Sequence, residues 1–306
     1  MNPVPYIWKN GAFIDWESAT THVLTHALHY STAVFEGVRA YHTDKGPAIF
    51  RAKEHYERLI ESGKMYYLES PYSVDDWVNA TIELIEKNAL DSCYIRPIIY
   101  AGYGAMGILP TANPVESVLA AWEWGAYLGE EGLEKGIRCT ISPWEKFSSK
   151  AMPATAKCTA NYANSVLAKQ EAVNRGFDEA ILLNSNGTIS EGPGENIFCI
   201  KDGKITTPPV EDDALRGITC DTVIQLIEDM GIPIERKTLT KAEMLAADEL
   251  FFTGTAAEVT PIREIDQFII GSGARGPISE RIQTKYFDVV NGRDEKYTHW
   301  LTYTKG

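Results

Sequence analysis

The spacing of hydrophobic and polar residues divides the first third of the chain into short strands and two longer helices. Apolar residues flank Asn10-Gly11, and this pair predicts a β-hairpin because its residues tolerate the left-handed conformations of a two-residue turn. A second hairpin is predicted over 38–51. Apolar residues at helical spacing predict helices over 52–68 and 73–89, and Ser73 stands where the second helix needs an N-cap.

The next part of the chain predicts a boundary between two domains. Strands are expected over 93–103 and 117–124, where apolar and aromatic residues predominate. The segment 125–136 is rich in glycine and charge, which is typical of an interdomain connection. We therefore predict a small N-terminal domain over 1–124 and a large C-terminal domain over 137–306.

The predicted C-terminal domain mixes hairpins with isolated helices. Asn186-Gly187 and Asp202-Gly203 are expected to form hairpin turns. The helices are predicted at 161–175, about 220–230, 241–246 and 277–290. The strands are predicted at 137–142, 179–184, 188–190, 196–200, 204–207, 249–253 and, as a pair, 259–270. Because strands and helices do not alternate regularly, the pattern favours an α+β fold of two domains over a doubly wound sheet.

Composition excludes several classes of partner. The chain has 306 residues and a net charge of −13, which argues against nucleic acid or an anionic membrane as a partner. Five scattered cysteines without a CxxC motif indicate reduced intracellular thiols. No signal peptide is visible and no apolar run approaches the length of a membrane span, so we expect a cytoplasmic protein.

The histidines predict no metal site. His22, His26 and His29 have the spacing of one helix face, but no carboxylate lies among them to complete a ligand set. Motifs of dinucleotide-binding proteins, P-loop proteins, zinc proteases and serine hydrolases are also missing from the sequence.

Lys157 is the first residue that suggests chemistry. It lies among small residues directly before a predicted helix. If the side chain is buried, desolvation lowers its pKa and gives an amine nucleophile suited to Schiff-base formation. The alternative is an ordinary solvated surface lysine.

Other segments contain groups that suit an anionic aromatic cofactor. Gly217 precedes a helix whose first N–H groups, at Ile218 and Thr219, form a phosphate site, unless Thr219 is a plain N-cap. Glu191 lies in a glycine-rich turn, where it is either exposed or available to a protonated ring nitrogen. The turn Gly254-Thr255-Ala256-Ala257 offers backbone N–H groups to a carboxylate, unless it is simply a tight turn. Together these groups suit pyridoxal 5′-phosphate.

The order of these motifs resembles that of the class IV, or fold type IV, pyridoxal-phosphate aminotransferases, and most closely the branched-chain amino acid aminotransferases. The resemblance covers nearly the whole chain. The motifs that carry it are HALHYSTAVFEGVRAY (26–41), FRAKEHYERL (50–59), YIRPIIYAGYGAMG (94–107), WGAYLG (124–129), ATAKCTANY (154–162), SEGPGEN (190–196), LRGIT (215–219) and FFTGTAAEVTPI (251–262).

The resemblance implies a smaller N-terminal α/β domain, a larger C-terminal domain resembling a β-barrel, and a role for each matching residue. Lys157 would be the Schiff-base lysine and proton shuttle. Glu191, not Glu195, would pair with the pyridine nitrogen, and Tyr162 would hydrogen-bond the ring oxygen. The phosphate and its surroundings would involve Arg58, Leu215, Gly217, Ile218, Thr219 and Thr255. The substrate would contact Tyr30, Phe35, Gly37, Tyr94, Arg96, Trp124, Tyr127, Thr255 and Ala256.

The implied activity is reversible, ping-pong amino transfer between L-leucine, L-isoleucine or L-valine and 2-oxoglutarate, with L-glutamate as the other amino acid. Arg96 would receive the distal carboxylate of 2-oxoglutarate, or it would be a structural arginine with a buried partner. The family further implies a homodimer or a homohexamer built as a trimer of dimers. Two positions depart from the superfamily's usual pattern: Cys220, where arginine is usual, and Pro193, where a small residue is usual.

Several related activities fit the same motifs. A D-amino acid aminotransferase, an (R)-selective amine aminotransferase and an aminodeoxychorismate lyase share this fold and differ by a few pocket residues. A more distant alternative is a carrier that binds the cofactor without catalysis, although the presence of both Lys157 and Glu191 argues against it.

Overall fold

The computed structural model describes residues 2–125 and 127–304, and the chain divides into two compact units. The first unit comprises Met1–Trp124, Ala156–Ala160 and Asp288–Gly306; the second comprises Gly125–Thr155 and Asn161–Phe287.

These units differ from the predicted domains. Residues 156–160 and 288–306 belong with the first unit, whereas the predicted C-terminal domain included both. Pairing explains this difference, because Cys158 bridges to Val34 and Leu301 pairs with Phe50. The predicted connection 125–136 also contains a helix, Glu130–Lys135, and it falls within the second unit.

Seventeen strands, eight α-helices and three short 3₁₀ helices make up the regular structure of the described residues. The strands are β1 Tyr6–Lys9, β2 Ala12–Asp15, β3 Ala33–Phe35, β4 Val38–Tyr41, β5 Ala48–Phe50, β6 Cys93–Ala101, β7 Val115–Trp122, β8 Ile137–Ile141, β9 Glu179–Leu183, β10 Ile189–Glu191, β11 Asn196–Lys201, β12 Lys204–Thr207, β13 Ile234–Arg236, β14 Glu249–Gly254, β15 Glu258–Ile265, β16 Phe268–Ile269 and β17 Leu301–Tyr303. The helices are α1 His26–Tyr30, α2 Ala52–Met65, α3 Val74–Lys87, α4 Glu130–Lys135, α5 Thr159–Asn174, α6 Ile218–Asp229, α7 Lys241–Leu245 and α8 Pro277–Val290.

The first unit contains an eight-stranded sheet in the order β17-β5-β4-β6-β7-β1-β2, with β3 paired to β6. The Asn10-Gly11 hairpin is confirmed, and both residues have positive φ angles, 49° and 87°. Ser73 caps α3 in a complete capping box with Asp76. Tyr56 of α2 and Trp77 of α3 stack at 5.7 Å between ring centroids in the buried core against the sheet.

The second unit contains a nine-stranded mixed sheet in the order β10-β9-β8-β15-β14-β11-β12-β13, with β16 paired to β15. β8 is parallel to both β9 and β15, and the hairpin of β11 and β12 turns at Asp202-Gly203 as predicted. Phe198 and Phe251 stack at 4.8 Å across β11 and β14. An antiparallel sheet in the first unit, a mixed sheet in the second and isolated helices confirm the predicted α+β class.

Candidate active site

The backbone around Lys157 is fixed by neighbours in the first unit. Its carbonyl accepts a hydrogen bond from the N–H of Phe35 at 3.0 Å, and its own N–H donates to Oγ of Ser62 at 3.0 Å. Cys158 is fully buried in the core, where its thiol donates to the Tyr66 hydroxyl at 2.8 Å. The lysine is therefore held at a defined position beside β3 and α2, and Cys158 is a packing residue.

The side chain of Lys157 is held in a setting that favours its neutral form. Burial is the main cause that lowers its pKa, to about 8, and the nearby cations Arg58 and Arg96 act in the same direction, whereas Glu36 opposes them. The Nζ atom lies 5.2 Å from the centroid of the Phe35 ring. At neutral pH an appreciable fraction of this amine is unprotonated, as a nucleophile or base requires.

Arg58 is oriented by a buried carboxylate that was not predicted from the sequence. Glu36 accepts from Nε of Arg58 at 2.6 Å, from another guanidinium nitrogen of Arg58 at 2.9 Å and from Nδ1 of His55 at 2.8 Å. Burial alone would raise the pKa of Glu36, but Arg58 and His55 together hold it well below its ordinary value. The sequence does contain one indication that His55 and Arg58 share a partner, since they lie three residues apart on one helix face.

Arg96 lies on β6 within an aromatic cluster. Its guanidinium is 4.8 Å from the centroid of Phe35 and 5.2 Å from that of Tyr94, and it donates to the Tyr94 hydroxyl at 3.0 Å. Nε of Arg96 is buried and has no hydrogen-bond partner among the described residues. Arg96 thus has one buried hydrogen-bond partner, Tyr94, as the structural alternative expects, and an anion could satisfy the open donor.

Glycine and tryptophan complete the surroundings of Tyr94. A Cβ atom on Gly37 would lie 2.1 Å from the Tyr94 hydroxyl oxygen, so only glycine permits this contact. Trp124 meets the Tyr94 ring edge to face at 4.6 Å. Tyr30 on α1 is 42% exposed, and its hydroxyl donates to the Met106 carbonyl at 3.2 Å.

In the second unit, Glu191 is buried at the end of β10 and accepts three hydrogen bonds. Oε1 accepts from Nζ of Lys146 at 2.5 Å. Oε2 accepts from the backbone N–H of Leu215 at 2.9 Å and from Nδ2 of Asn196 at 3.3 Å. The predicted carboxylate is thus buried rather than exposed, and neither Lys146 nor Asn196 was predicted from the sequence as its partner.

The start of α6 is joined to this carboxylate. Gly217 is the N-cap of the helix, and Ile218 and Thr219 form its first turn, so the alternative in which Thr219 caps the helix is wrong. The side-chain amide of Asn196 donates to the Leu215 carbonyl at 3.0 Å. Its oxygen, Oδ1 of Asn196, would lie 1.9 Å from a Cβ atom on Gly217. Glycine is required for this approach, which fixes the helix start relative to Glu191.

The pKa of Glu195, the second carboxyl group of this turn, is raised. Burial and the neighbouring carboxylate of Glu179 raise the pKa of Glu195 to about 8, so this group is mostly neutral at pH 7. Its Oε2 accepts a hydrogen bond from the N–H of Gly194 at 3.0 Å. A neutral carboxyl is a weak partner for a ring cation, which favours Glu191 for that role.

The remaining predicted residues of the second unit lie on separate elements. Tyr162 is partly buried on α5, and Thr255 and Ala256 form the turn between β14 and β15. A Cβ atom on Gly254 would lie 3.1 Å from the Gly194 carbonyl oxygen, so this turn packs on the glycine-rich turn after Glu191. Tyr127 is 39% exposed, and Nζ of Lys169 lies 5.5 Å from its ring centroid.

The two departures from the superfamily pattern also have defined surroundings. Cys220 is buried in the first turn of α6, where desolvation raises the pKa of its thiol to about 12, so it contributes packing instead of charge. Pro193 is partly buried in the turn between β10 and β11. The predicted residues thus form two groups, one in each unit. The first unit contains Tyr30, Phe35, Gly37, Arg58, Tyr94, Arg96, Trp124 and Lys157, and the second contains Tyr127, Tyr162, Glu191, Leu215, Gly217, Ile218, Thr219, Thr255 and Ala256.

Neither a metal site nor a membrane-spanning helix is found within residues 2–125 and 127–304. In these residues, no group of three or more His, Cys, Asp or Glu side chains could hold a metal ion. Both ring nitrogens of His26 are hydrogen-bonded within the chain, to Thr32 and to the Gly107 carbonyl. Over the same part of the chain, no helix combines the length and the apolar character needed to cross a bilayer.

The chain is similar to known aminotransferases over most of its length. The family model described as Amino-transferase class IV matches residues 33–265. The branched-chain-amino-acid aminotransferase of Pseudomonas aeruginosa is 47% identical over 299 residues, which cover 98% of this chain and 97% of the relative. The Escherichia coli K12 protein of the same name is 44% identical over 297 residues, which cover 97% and 96%.

Solved structures give the same result. A crystal structure of the Escherichia coli branched-chain amino acid aminotransferase matches with a TM-score of 0.96 and 43% identity, over 98% of this chain and 99% of that one. The branched-chain amino acid aminotransferase from Thermobaculum terrenum, solved in its PLP form, matches with a TM-score of 0.92 and 35% identity, over 99% of each chain. The predicted family resemblance is confirmed.

Proposed function

The chain belongs to the amino-transferase class IV family, and we propose that it is a branched-chain amino acid aminotransferase. It transfers the amino group reversibly between L-leucine, L-isoleucine or L-valine and 2-oxoglutarate, and so serves the biosynthesis of these three amino acids. The observation that carries the proposal is the first-unit cluster in which Lys157, with its lowered pKa, and Arg96, with an open donor, flank the ring of Phe35.

Each of the two units contains groups that suit pyridoxal 5′-phosphate as the cofactor. Lys157 offers a partly buried amine and Glu191 a carboxylate acceptor, and the twelve-residue helix that Gly217 caps would present its N-terminal N–H groups to an anion. Arg58, Leu215, Gly217, Ile218, Thr219 and Thr255 would surround the phosphate, and Tyr162 would hydrogen-bond the ring oxygen. When bound, the cofactor supplies an electron sink for charge that develops at the substrate Cα.

Lys157 contributes proton transfer. Its amine takes the proton from Cα of the amino acid in one direction and returns a proton there in the other. A pKa of about 8 suits both directions near neutral pH, because neither the neutral nor the charged form is rare. Glu36 keeps Arg58 in one orientation, and this preserves the positive charge beside the lysine.

The pocket has to accept two kinds of substrate. Phe35, Tyr30 and Trp124 provide aromatic surface for branched alkyl side chains, and Tyr127 would extend it. Arg96 would bind the distal carboxylate of 2-oxoglutarate or L-glutamate through its open Nε. The backbone at Thr255 and Ala256 would bind the α-carboxylate that all of these substrates share.

A substrate panel tests this function. We expect the protein carrying its cofactor to change absorbance on addition of L-leucine and to transfer the amino group to 2-oxoglutarate. Transfer from D-alanine or an (R)-amine but not from L-leucine would instead assign an aminotransferase of opposite stereochemistry. Turnover of aminodeoxychorismate alone would assign a lyase, and bound cofactor without a single turnover on any of these substrates would assign a carrier.

We also propose a homodimer, or a homohexamer built as a trimer of dimers. Large apolar side chains of the first unit are exposed, among them Leu28 at 62%, Ile108 at 80% and Leu109 at 74%, and a second copy could cover them. Light scattering coupled to gel filtration measures the mass directly. A cytoplasmic location is supported by five free, buried cysteines, as in a reducing compartment.

A further inference from the structure

Lys146 is a buried cation for which the proposed reaction has no assigned role. It follows β8, and its backbone N–H donates to the Leu183 carbonyl of β9 at 2.7 Å, which fixes the residue beside the sheet. Its side chain is 6% exposed, and Nζ lies 2.5 Å from Oε1 of Glu191. Among the residues that the structure describes, Lys146 is the only side-chain cation in contact with Glu191.

The hydrogen bonds to Glu191 leave one acceptor position of its carboxylate unoccupied. A carboxylate has about four acceptor positions, two on each oxygen. Oε2 already accepts from Leu215 and Asn196, whereas Oε1 accepts, within the described part of the chain, only from Lys146. Lys146 therefore fixes which acceptor position of Glu191 remains available to a ligand.

Lys146 also supplies the counter-charge of Glu191 in a region that contains other carboxyl groups. Glu191, Glu195 and Glu179 interact electrostatically, and Lys169 pairs with Glu179 at 2.7 Å. Without Lys146, the carboxylate of Glu191 would be buried with only neutral donors, and a buried charge without a counter-charge is strongly disfavoured. The carboxylate of Glu191 would then turn away from its present orientation.

We propose that Lys146 is a positioning residue, whose ammonium group holds the carboxylate of Glu191 in place and directs its free Oε1 acceptor position to the ring nitrogen of the cofactor. This inference rests on the proposed role of Glu191. It adds that the strength of the contact with the ring nitrogen depends on a second, cationic side chain that never touches the cofactor.

The test measures binding of two ligands to the cofactor-free protein by calorimetry. One ligand is pyridoxal 5′-phosphate, and the other is its analogue in which CH replaces the ring nitrogen. The ratio of their dissociation constants isolates the contact between Glu191 and the nitrogen. For Lys146→Met we expect this ratio to fall about tenfold, as for loss of one charge-assisted hydrogen bond. Lys146→Arg should restore it, and exposed Lys150→Met should leave it unchanged.

A purely structural role for Lys146 predicts another pattern. Both ligands would then bind less tightly by the same factor, and an unchanged ratio in Lys146→Met would overturn the proposal. If that variant does not fold, Lys146→Gln, which keeps a donor without the charge, replaces it. A ratio for Lys146→Gln equal to that of the unaltered protein would also overturn the proposal.

Glu191→Gln separates this proposal from the function on which it rests. We expect the unaltered protein to prefer the nitrogen-containing ligand and Glu191→Gln to lose that preference. If the unaltered protein shows no preference, or if Glu191→Gln keeps it, the assignment of Glu191 fails. If both expectations hold while Lys146→Met keeps the original ratio, only the proposal for Lys146 fails.

Discussion

Two buried carboxylates, Glu36 in the first unit and Glu191 in the second, are paired in different ways. Glu36 is fully buried and accepts four hydrogen bonds, two from Arg58, one from His55 and one from the N–H of Gly37. Glu191 accepts three, and Lys146 supplies the single cationic donor among the described residues.

The difference distinguishes a carboxylate that organises protein groups from one that remains available to a ligand. Four donors from Arg58, His55 and the Gly37 backbone converge on Glu36, three of them on Oε2, so we expect its loss to affect stability first. Glu191 retains an acceptor position, so we expect its loss to affect ligand binding first. Burial alone does not separate the two, since both are at most 5% exposed; the number and charge of the donors do.

Lys157→Ala is expected to have the largest effect, because it removes both the amine nucleophile and the proton carrier from the first-unit cluster. Amino transfer from L-leucine to 2-oxoglutarate should fall by about 10⁴-fold or more. A coupled assay for L-glutamate measures it, with exposed Lys150→Ala as the matched control. Activity in Lys157→Ala above about one per cent of normal would refute the assignment of this lysine.

Glu36→Gln should reduce the free energy of unfolding by about 3 kcal/mol at pH 7, because the mostly buried Arg58 would lose its ion pair with Glu36. The pKa of Glu36 is lowered in the folded state, so its stabilising contribution is complete above its ordinary value of 4.5 and is lost as the pH falls below that value. The difference in unfolding free energy between the unaltered protein and Glu36→Gln should therefore shrink as the pH falls below 4.5.

Chemical denaturation at pH 7 and pH 3 measures this effect, and Glu57→Gln on the exposed side of α2 is the control. If Glu36→Gln reduces the free energy of unfolding by less than about 1 kcal/mol at pH 7, the ion pair between Glu36 and Arg58 is weak. The contrast drawn between Glu36 and Glu191 would then be wrong.

Arg96→Leu should separate the two half-reactions. We expect KM for 2-oxoglutarate to rise about tenfold or more, since the distal carboxylate loses a charge-assisted hydrogen bond, while the reaction with L-leucine alone changes little. Steady-state kinetics and absorbance changes with L-leucine measure the two effects. An equal loss in both half-reactions would mean that Arg96 supports the pocket instead of recognising the carboxylate.

The smallest expected effect is the pH dependence of Lys157 in the cofactor-free protein. Because burial lowers its pKa to about 8, the neutral fraction should rise about tenfold between pH 7 and pH 9 and then level off. Reductive methylation followed by peptide mass spectrometry measures the rate at this residue. A rate that keeps rising tenfold per pH unit beyond pH 9 would contradict the lowered pKa.

Local features of the fold were predictable from sequence because they depend on adjacent residues. The hairpin at Asn10-Gly11 and the capping box at Ser73 follow from backbone preferences within four residues. The short helix α4 was missed because glycine and charge over 125–136 have the composition of a connection. Strand β17 was missed because three residues carry no clear pattern of their own.

The site was predictable only as far as residue types and motif order carry information. The small residues around Lys157 indicated a special lysine, and the resemblance supplied the proposed roles of Glu191, Arg58 and the pocket residues. Neither source indicated that Glu36 orients Arg58 or that Lys146 pairs with Glu191.

The sequence by itself thus determined most of the strands and helices, the family and the identity of the candidate reactive groups. Only the tertiary structure decided which charges meet, because the partners are 22 residues apart for Glu36 and Arg58 and 45 apart for Lys146 and Glu191. Strand register and helix packing bring such pairs within hydrogen-bond distance, and burial then strengthens each contact.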